Sequence, residues 1–179
     1  MAVNMKYANI KYYDISNGLG VRTSLFVSGC SHRCRGCFNE MAWDFNYGEE
    51  FTDTTIETIV KSLEPKYISG LTLLGGEPME LSNQRALLPL LRRFHKCFPQ
   101  KNIWCYTGYT YECDLLNPNG KAHCEVTDEF LSYIDILVDG EFNQDLYDIS
   151  LKFRGSKNQR ILQIHEEGCP ELFPLEPLP

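Results

Sequence analysis

The feature that most restricts what this chain can fold into is an alternation. Short apolar runs at residues 21–28, 69–74, 103–107, 134–138 and 159–164 read as strands. Between them lie segments with helical spacing. Thr54-x-x-Glu57 has the form of a capping box, with apolar Ile56, Ile59, Val60 and Leu63 before Pro65 ends the segment. Residues 82–98 carry Leu87, Leu90, Leu91, Phe94 and Phe98 on one side, and Pro89 is expected to start or kink part of that helix. A shorter helix is predicted at 127–133. Strands alternating with helices imply βαβ units, a parallel sheet and right-handed crossovers. The predicted fold is therefore α/β: an incomplete β/α barrel of about five to six mostly parallel strands with outer helices.

At 179 residues the chain is most simply one domain, too short for a complete eight-fold barrel. A single domain is expected over residues 1–167. The tail at 168–179 holds four of the nine prolines and is expected to be irregular, or to dock on the sheet through Leu172 and Phe173. No run approaches the roughly 20 apolar residues that span a bilayer. The N-terminal Met-Ala-Val-Asn-Met-Lys-Tyr-Ala lacks the apolar core of a signal peptide, so a cytoplasmic location is expected. A net charge of −7 argues against a general nucleic-acid or anionic-membrane binder.

Eight cysteines in a chain of this kind suggest metal or redox chemistry rather than a disulfide framework. Cys30, Cys34 and Cys37 fall within eight residues, while Cys97, Cys105, Cys113, Cys124 and Cys169 are scattered. Cys97 and Cys105 sit in apolar-patterned segments and are read as core. Cys113 and Cys124 are a weaker candidate for a second metal pair.

In α/β folds ligands sit at the carboxyl ends of the strands, and each polar signature here lies at such an end. The three cysteines follow the first predicted strand, Gly75-Gly-Glu-Pro78 the second, Tyr106-Thr-Gly-Tyr109 the third and Asp139-Gly-Glu-Phe142 the fourth. Thiolates select iron–sulfur clusters or zinc. A [4Fe–4S] cube with a full protein set takes four cysteines, so three leave one iron open. The loop alone is also compatible with a structural zinc completed by His32 or a distant cysteine. Glycines at 75 and 76 let the backbone approach a ligand closely, and Glu77 can accept a hydrogen bond from an ammonium group; an ordinary strand-to-helix turn has the same composition.

Together, the three-cysteine loop and Gly75-Gly-Glu-Pro78 resemble the radical S-adenosylmethionine (SAM) superfamily. Within it, Asp14-Ile-Ser-Asn-Gly-Leu-Gly-Val-Arg22, Gly29-Cys-Ser-His-Arg-Cys-Arg-Gly-Cys-Phe-Asn39 with Trp43, Val138-Asp-Gly-Glu-Phe142 and Phe153-Arg-Gly-Ser-Lys-Asn-Gln-Arg160 resemble the activating proteins of the anaerobic (class III) ribonucleotide reductase. The resemblance runs from about residue 7 to residue 164. The chain has Gly36 where many radical SAM enzymes have an aromatic residue, and Glu141 where related activases often have a basic one.

The resemblance implies a [4Fe–4S] cluster on Cys30, Cys34 and Cys37, with SAM on the open iron and its amino group held by Gly75, Gly76 and Glu77. Tyr106, Thr107 and Gly108 are expected to line the SAM pocket, and Asp139 to orient SAM or the incoming glycine loop. Asn17, Gly18 and Gly20 either shape the mouth of the site or form a plain hairpin turn. A flavodoxin or ferredoxin would supply one electron, cleaving SAM to methionine and a 5′-deoxyadenosyl radical. That radical would take a hydrogen atom from a glycine Cα in the large subunit of the anaerobic ribonucleotide reductase. Arg154, Lys157 and Arg160 are candidates for contact with that partner, or simply solvated surface. The competing readings are an activase of the pyruvate formate-lyase type, another radical SAM enzyme, and a non-enzymatic iron–sulfur or zinc protein.

Overall fold

The computed structural model describes residues 5–164 and 170–174. Its strands are β1 (Lys6–Asp14), β2 (Val21–Val27), β3 (Glu49–Glu50), β4 (Ile68–Gly75), β5 (Asn102–Tyr106), β6 (Ile136–Asp139), β7 (Arg160–Gln163) and β8 (Glu171–Leu172). The α-helices are α1 (Asp53–Ser62), α2 (Leu81–Cys97) and α3 (Thr127–Ser132). All eight strands form one sheet in the order β3-β1-β2-β4-β5-β6-β7-β8. The fold is mixed α/β, and its sheet is only partly parallel.

The centre agrees with the sequence: β2, β4, β5 and β6 are neighbours and run parallel. The flanks differ. The segment expected as a last parallel strand is β7, which runs antiparallel to β6. A parallel return needs a crossover of a dozen or more residues, usually helical. Residues 140–159 instead form a loop with one 3₁₀ turn, Gln144–Leu146, and the chain comes back beside β6. On the other side β1 pairs antiparallel with β2 through the hairpin at residues 15–20, and β3 pairs with β1. β1 was hidden because Lys6-Tyr-Ala-Asn-Ile-Lys-Tyr-Tyr-Asp14 has no apolar run; most of the strand is only half-buried or exposed. Of the tail, Glu171–Leu172 pair with β7, and Phe173 packs edge-on to Trp104 at a centroid separation of 5.6 Å. Leu172 stays exposed. Residues 168–169, with Cys169, and 175–179 of the expected tail lie outside the described residues.

The three helices share one face of the sheet. Leu25 and Val27 (β2), Leu71 and Leu73 (β4), Ile103 and Cys105 (β5) and Leu137 (β6) pack there against Ile59, Leu87, Leu91 and Phe130. Their alternate neighbours point to the other face, as strand pleating requires. There Trp104, Ile136, Val138 and Ile161 form a second small cluster, with Tyr106, Phe153 and Phe173 against it.

Arg22 is fully buried in the strand row of that second face. Its guanidinium donates to Thr72 Oγ1 and the Leu71 carbonyl (2.7 Å each), Asn102 Oδ1 (2.8 Å), the Asn102 carbonyl (3.0 Å) and the Leu19 carbonyl (3.1 Å). It also lies 5.6 Å from the Trp104 ring centroid. All its acceptors are neutral, and their number rather than a counter-charge makes its burial tolerable.

Two helix details correct the sequence reading. The cap of α1 is Thr52, whose hydroxyl accepts the Thr55 N–H while the Thr55 hydroxyl accepts the Thr52 N–H; the capping box sits two residues before the one expected. Pro89 lies inside α2 on its exposed side and neither starts nor ends the helix. Cys97, at the end of α2, is exposed rather than core, whereas Cys105 is buried as expected.

Candidate functional site

The loops after β2, β4 and β5 meet at one end of the sheet. The first is pinned by its backbone. The N–H groups of Ser28, Gly29 and Cys30 donate to the carbonyls of Lys6 (2.9 Å), Ala42 (2.8 Å) and Trp43 (3.2 Å). The Ser31 N–H donates to Glu80 Oε1 at 2.7 Å. The departure at Gly36 has a local cause. Its φ is 74°, a left-handed backbone that residues with a β-carbon rarely adopt, so the loop favours glycine before its last cysteine.

The second loop is stitched to the first. Gly76 N–H donates to the Val27 carbonyl (2.7 Å) and Glu77 N–H to the Gly29 carbonyl (2.9 Å). A β-carbon on Gly75 would lie 2.7 Å from Val27 N, and one on Gly76 2.7 Å from the Gly29 oxygen. The two glycines are thus required by backbone packing between the loops. Asn83 Nδ2 bridges the same junction, donating to the carbonyls of Ser28 (3.0 Å) and Glu77 (2.9 Å).

Glu77 ties in the third loop. It is 1% exposed; Oε1 accepts the Met79 N–H at 2.8 Å and Oε2 accepts the Gly108 N–H at 2.7 Å. His32 Nε2 lies 3.2 Å from Oε2, in an alignment that makes the contact electrostatic rather than a hydrogen bond. The His32 ring leans on Tyr109 at 4.3 Å between centroids, and a β-carbon on Gly108 would meet His32 Nε2 at 2.7 Å. His32 is therefore neither an exposed loop side chain nor turned outward. Burial opposes its charged form, but the carboxylates of Glu77, Glu141 and Glu80 outweigh burial and raise its pKa.

A cavity of about 550 Å³ opens between these loops and is lined by Cys30, Cys34 and Cys37. Gly75, Gly76 and Glu77 line it too, as do Tyr106, Thr107 and Gly108. Three thiols facing one space of this size fit the donor set of an iron–sulfur cube with a free corner. Burial, reinforced by Glu77, pushes the Cys30 thiol up to about 12, and burial with Glu141 pushes Cys34 up to about 11. Metal ligation at either must displace a proton. Among the described residues no three His, Cys, Asp or Glu side chains converge as ligands of a single ion would, at Cys113 and Cys124 or elsewhere.

Asp139 stands apart from this group. Its carboxylate accepts the Tyr111 N–H (2.9 Å) and is gripped by Arg160 through Nε (2.9 Å) and a second guanidinium nitrogen. Arg160 also makes a two-point contact with Glu112 at 3.1 and 2.7 Å. Thr107 Oγ1 accepts the Tyr109 N–H at 3.1 Å, whereas the Tyr106 hydroxyl is buried without a partner. Residues 15–20 are a hairpin connection, and Ser16 and Asn17 from it also line the cavity.

The Arg154-to-Arg160 run builds a wall of the site. Gln159 Oε1 accepts the N–H groups of Gly155 (2.9 Å) and Ser156 (3.1 Å), and its amide donates to the Gly140 carbonyl (3.0 Å). Asn158 donates to the Glu141 carbonyl at 2.7 Å. Lys157 is exposed and lies 3.3 Å from Asp148, while Arg154 faces the cavity. Sequence reasoning missed Glu80 and Asn83 in this scaffold. The available signal was weak: polar side chains at the start of a helix, α2, whose other turns are apolar on the buried side.

The rim of the cavity is apolar and open. Phe38 is 81% exposed and Ile149 87%. The Phe38 ring lies 5.9 Å from Phe142 and 6.1 Å from Tyr147.

Residues 16–162 match the family model of a 4Fe-4S single cluster domain. The chain is 42% identical over 156 residues to the anaerobic ribonucleoside-triphosphate reductase-activating protein of Haemophilus influenzae, covering 85% of this chain and 95% of that protein. The activating protein of Escherichia coli K12 is 42% identical over 157 residues (87% and 96% covered), and that of Enterobacteria phage T4 38% over 157 (88% and 93%). This chain belongs to the anaerobic ribonucleoside-triphosphate reductase-activating protein family. The family match runs through every cavity-lining loop, and the relatives are covered almost end to end, so the likeness extends beyond the cysteine motif. Among the described residues of this family member no helix is long and apolar enough to cross a membrane.

Proposed function

We propose that this chain is a radical SAM activase that generates a glycyl radical on the large subunit of an anaerobic ribonucleotide reductase. The observation that carries the reading is the convergence on one cavity of Cys30, Cys34 and Cys37 with Gly75–Glu77 and Tyr106–Gly108. In this reading the three cysteines hold a [4Fe–4S] cluster. Held there and supplied with one electron by a flavodoxin or ferredoxin, such a cluster would supply the reducing power for cleavage of SAM.

The chain's own residues bind, orient and exclude. The stitched backbone of Gly75 and Gly76 forms a close wall for the methionine part of SAM, and Glu77 places a fixed negative charge behind it for the ammonium group. Tyr106, Thr107 and Gly108 bound the pocket. Asp139 acts at one remove, holding Arg160 and the Tyr111 backbone so that the loop after β5 keeps its position. The domain is read as residues 1–167, with its sheet curled into an incomplete barrel around the cavity and the molecule working in the cytoplasm.

The apolar rim at Phe38, Tyr147 and Ile149 favours a polypeptide substrate over a small molecule, because a large exposed apolar lip is unusual unless something covers it. That favours an activase over other radical SAM enzymes.

The deciding experiment is anaerobic. Reconstituted, reduced protein is mixed with SAM and then with the reductase, following the cluster EPR signal, 5′-deoxyadenosine and the glycyl radical. A SAM-dependent change in the cluster signal, deoxyadenosine and a reductase-borne glycyl radical are expected. Uptake of zinc but no cluster, or a cluster indifferent to SAM, would overturn the proposal.

A further inference from the structure

Glu141 stands two residues after the end of β6, and its backbone is pinned from both sides. The Gly140 N–H donates to the Tyr109 carbonyl at 3.1 Å, and the Gly140 carbonyl accepts the Gln159 amide at 3.0 Å. The Glu141 carbonyl accepts Asn158 Nδ2 at 2.7 Å, and the ring of the next residue, Phe142, lies 5.9 Å from that of Phe38. So fixed a backbone limits where the side chain can go.

That side chain reaches the cysteine loop. Glu141 Oε2 lies 3.9 Å from Nδ1 of His32, whose ring leans on Tyr109 and which stands between Cys30 and Cys34 in sequence. Among the described residues no arginine or lysine forms an ion pair with Glu141. Of the loop's own arginines, Arg35 pairs with Asp145 and Arg33 lines a separate cavity with Trp43 and Tyr47. Glu141 does not itself line the cavity of the three cysteines. It sets a negative charge beside the cysteine loop from outside that cavity.

Reducing a cluster held there takes one electron from the donor and adds one negative charge at the cysteines. A fixed carboxylate nearby opposes that step, as it opposes ionisation of a thiol. The second effect is visible at Cys34, where burial first and the Glu141 charge next push the thiol up to about 11. The potential of an iron–sulfur centre follows its net charge, the hydrogen bonds to its sulfurs and its exposure to solvent.

We propose that Glu141 tunes the cluster on Cys30, Cys34 and Cys37 toward a lower reduction potential, acting from outside the ligand set and the SAM cavity. The proposal rests on the reading of that loop as a cluster seat. It gives the departure at Glu141 a role. A lower potential makes the reduced cluster a stronger one-electron donor to a sulfonium, while demanding a stronger reductant to load it.

The test is an anaerobic redox titration of reconstituted full-length protein without SAM, at fixed pH, read by EPR of the reduced cluster. Glu141→Gln keeps the shape and removes the charge; it should favour reduction by about tenfold, a rise of ~59 mV for one electron. Glu141→Lys should raise the potential further, and Glu141→Asp should stay near wild type. The gap between wild type and Glu141→Gln should narrow as salt is added, because a side chain more than half exposed is screened. Iron and sulfide content verify that each variant carries a full cluster. Unchanged or lower potentials in Glu141→Gln and Glu141→Lys overturn the proposal. So does a gap that salt leaves untouched, which would mark a change of structure rather than of charge. Should Glu141→Lys lose its cluster, Glu141→Gln and its salt dependence decide. Wild type taking up no cluster would instead remove the reading of the loop as a cluster seat, and this proposal with it.

Discussion

The Glu77 carboxylate accepts the backbone N–H of Gly108 at 2.7 Å, joining the loop after β4 to the loop after β5. Its other oxygen accepts the Met79 N–H at 2.8 Å, so both oxygens are committed to structure before any ligand arrives. Glu77→Gln keeps the shape but replaces one acceptor by a donor. One of the two buried N–H groups then faces an N–H, at a cost of about 1–3 kcal/mol. A lower urea midpoint together with weaker SAM binding is the expected result; a variant as stable as wild type would show that these bonds contribute little.

Ala at Cys30, Cys34 or Cys37 should each abolish cluster retention, whereas Cys113→Ser, at an exposed position, should leave iron content unchanged. Iron and sulfide assays after anaerobic reconstitution measure this. Full iron loading in any of the first three variants would count against the ligand assignment.

Stability should fall in acid through Asp14. Burial alone would raise its pKa, but the Ser24 hydroxyl (2.6 Å), the Asn17 amide (2.6 Å), the Ser16 N–H (3.0 Å) and Lys11 (2.9 Å) outweigh it and lower the group to about 2. An unfolded aspartate titrates near ~3.9. The folded pKa is the lower one, so the contribution is complete above about pH 4 and disappears as pH falls toward 2. In thermal melts across that window Asp14→Asn should show a shallower acid limb than wild type; identical slopes would assign the loss to other groups.

Arg22→Lys should be costly despite preserving charge. An ammonium has three donors, where the guanidinium satisfies five acceptors. Two or more stay unmet, and a loss of about 3 kcal/mol is expected in chemical denaturation. A loss below about 1 kcal/mol would mean that water enters and takes their place.

Replacing the apolar rim should separate chemistry from partner binding. Ile149→Asp, far out on the rim at 87% exposure, should leave SAM cleavage by the dithionite-reduced enzyme intact and weaken association with the reductase by about 1–2 kcal/mol. Surface plasmon resonance against the reductase reads the second quantity, and unaltered affinity would place the contact elsewhere.

Much of this arrangement is visible in the sequence because parallel strands buried on both faces leave continuous apolar runs. β2, β4, β5 and β6 were found that way, and the polar signatures at their ends came with them. What escaped was held by partners distant in sequence. β1 is polar enough to pass for loop and becomes a strand only beside β2. β7 reverses direction because its connection lacks a helix, which no local pattern in Arg160–Gln163 reveals. Asp139 reads as a ligand at a strand end until Arg160, 21 residues on, claims its carboxylate. Arg154 reads as surface charge, yet it lines the cavity beside Phe153, whose backbone is left-handed.

The cysteine loop takes its position from bonds to Ala42, Trp43 and Glu80, and through Gly29 to Glu77, all of them made to protein rather than to iron. A loop anchored in this way is expected to keep its path when the cluster is lost, so that iron and sulfide can be returned to it without unfolding the chain; circular dichroism before and after removal of the iron checks this.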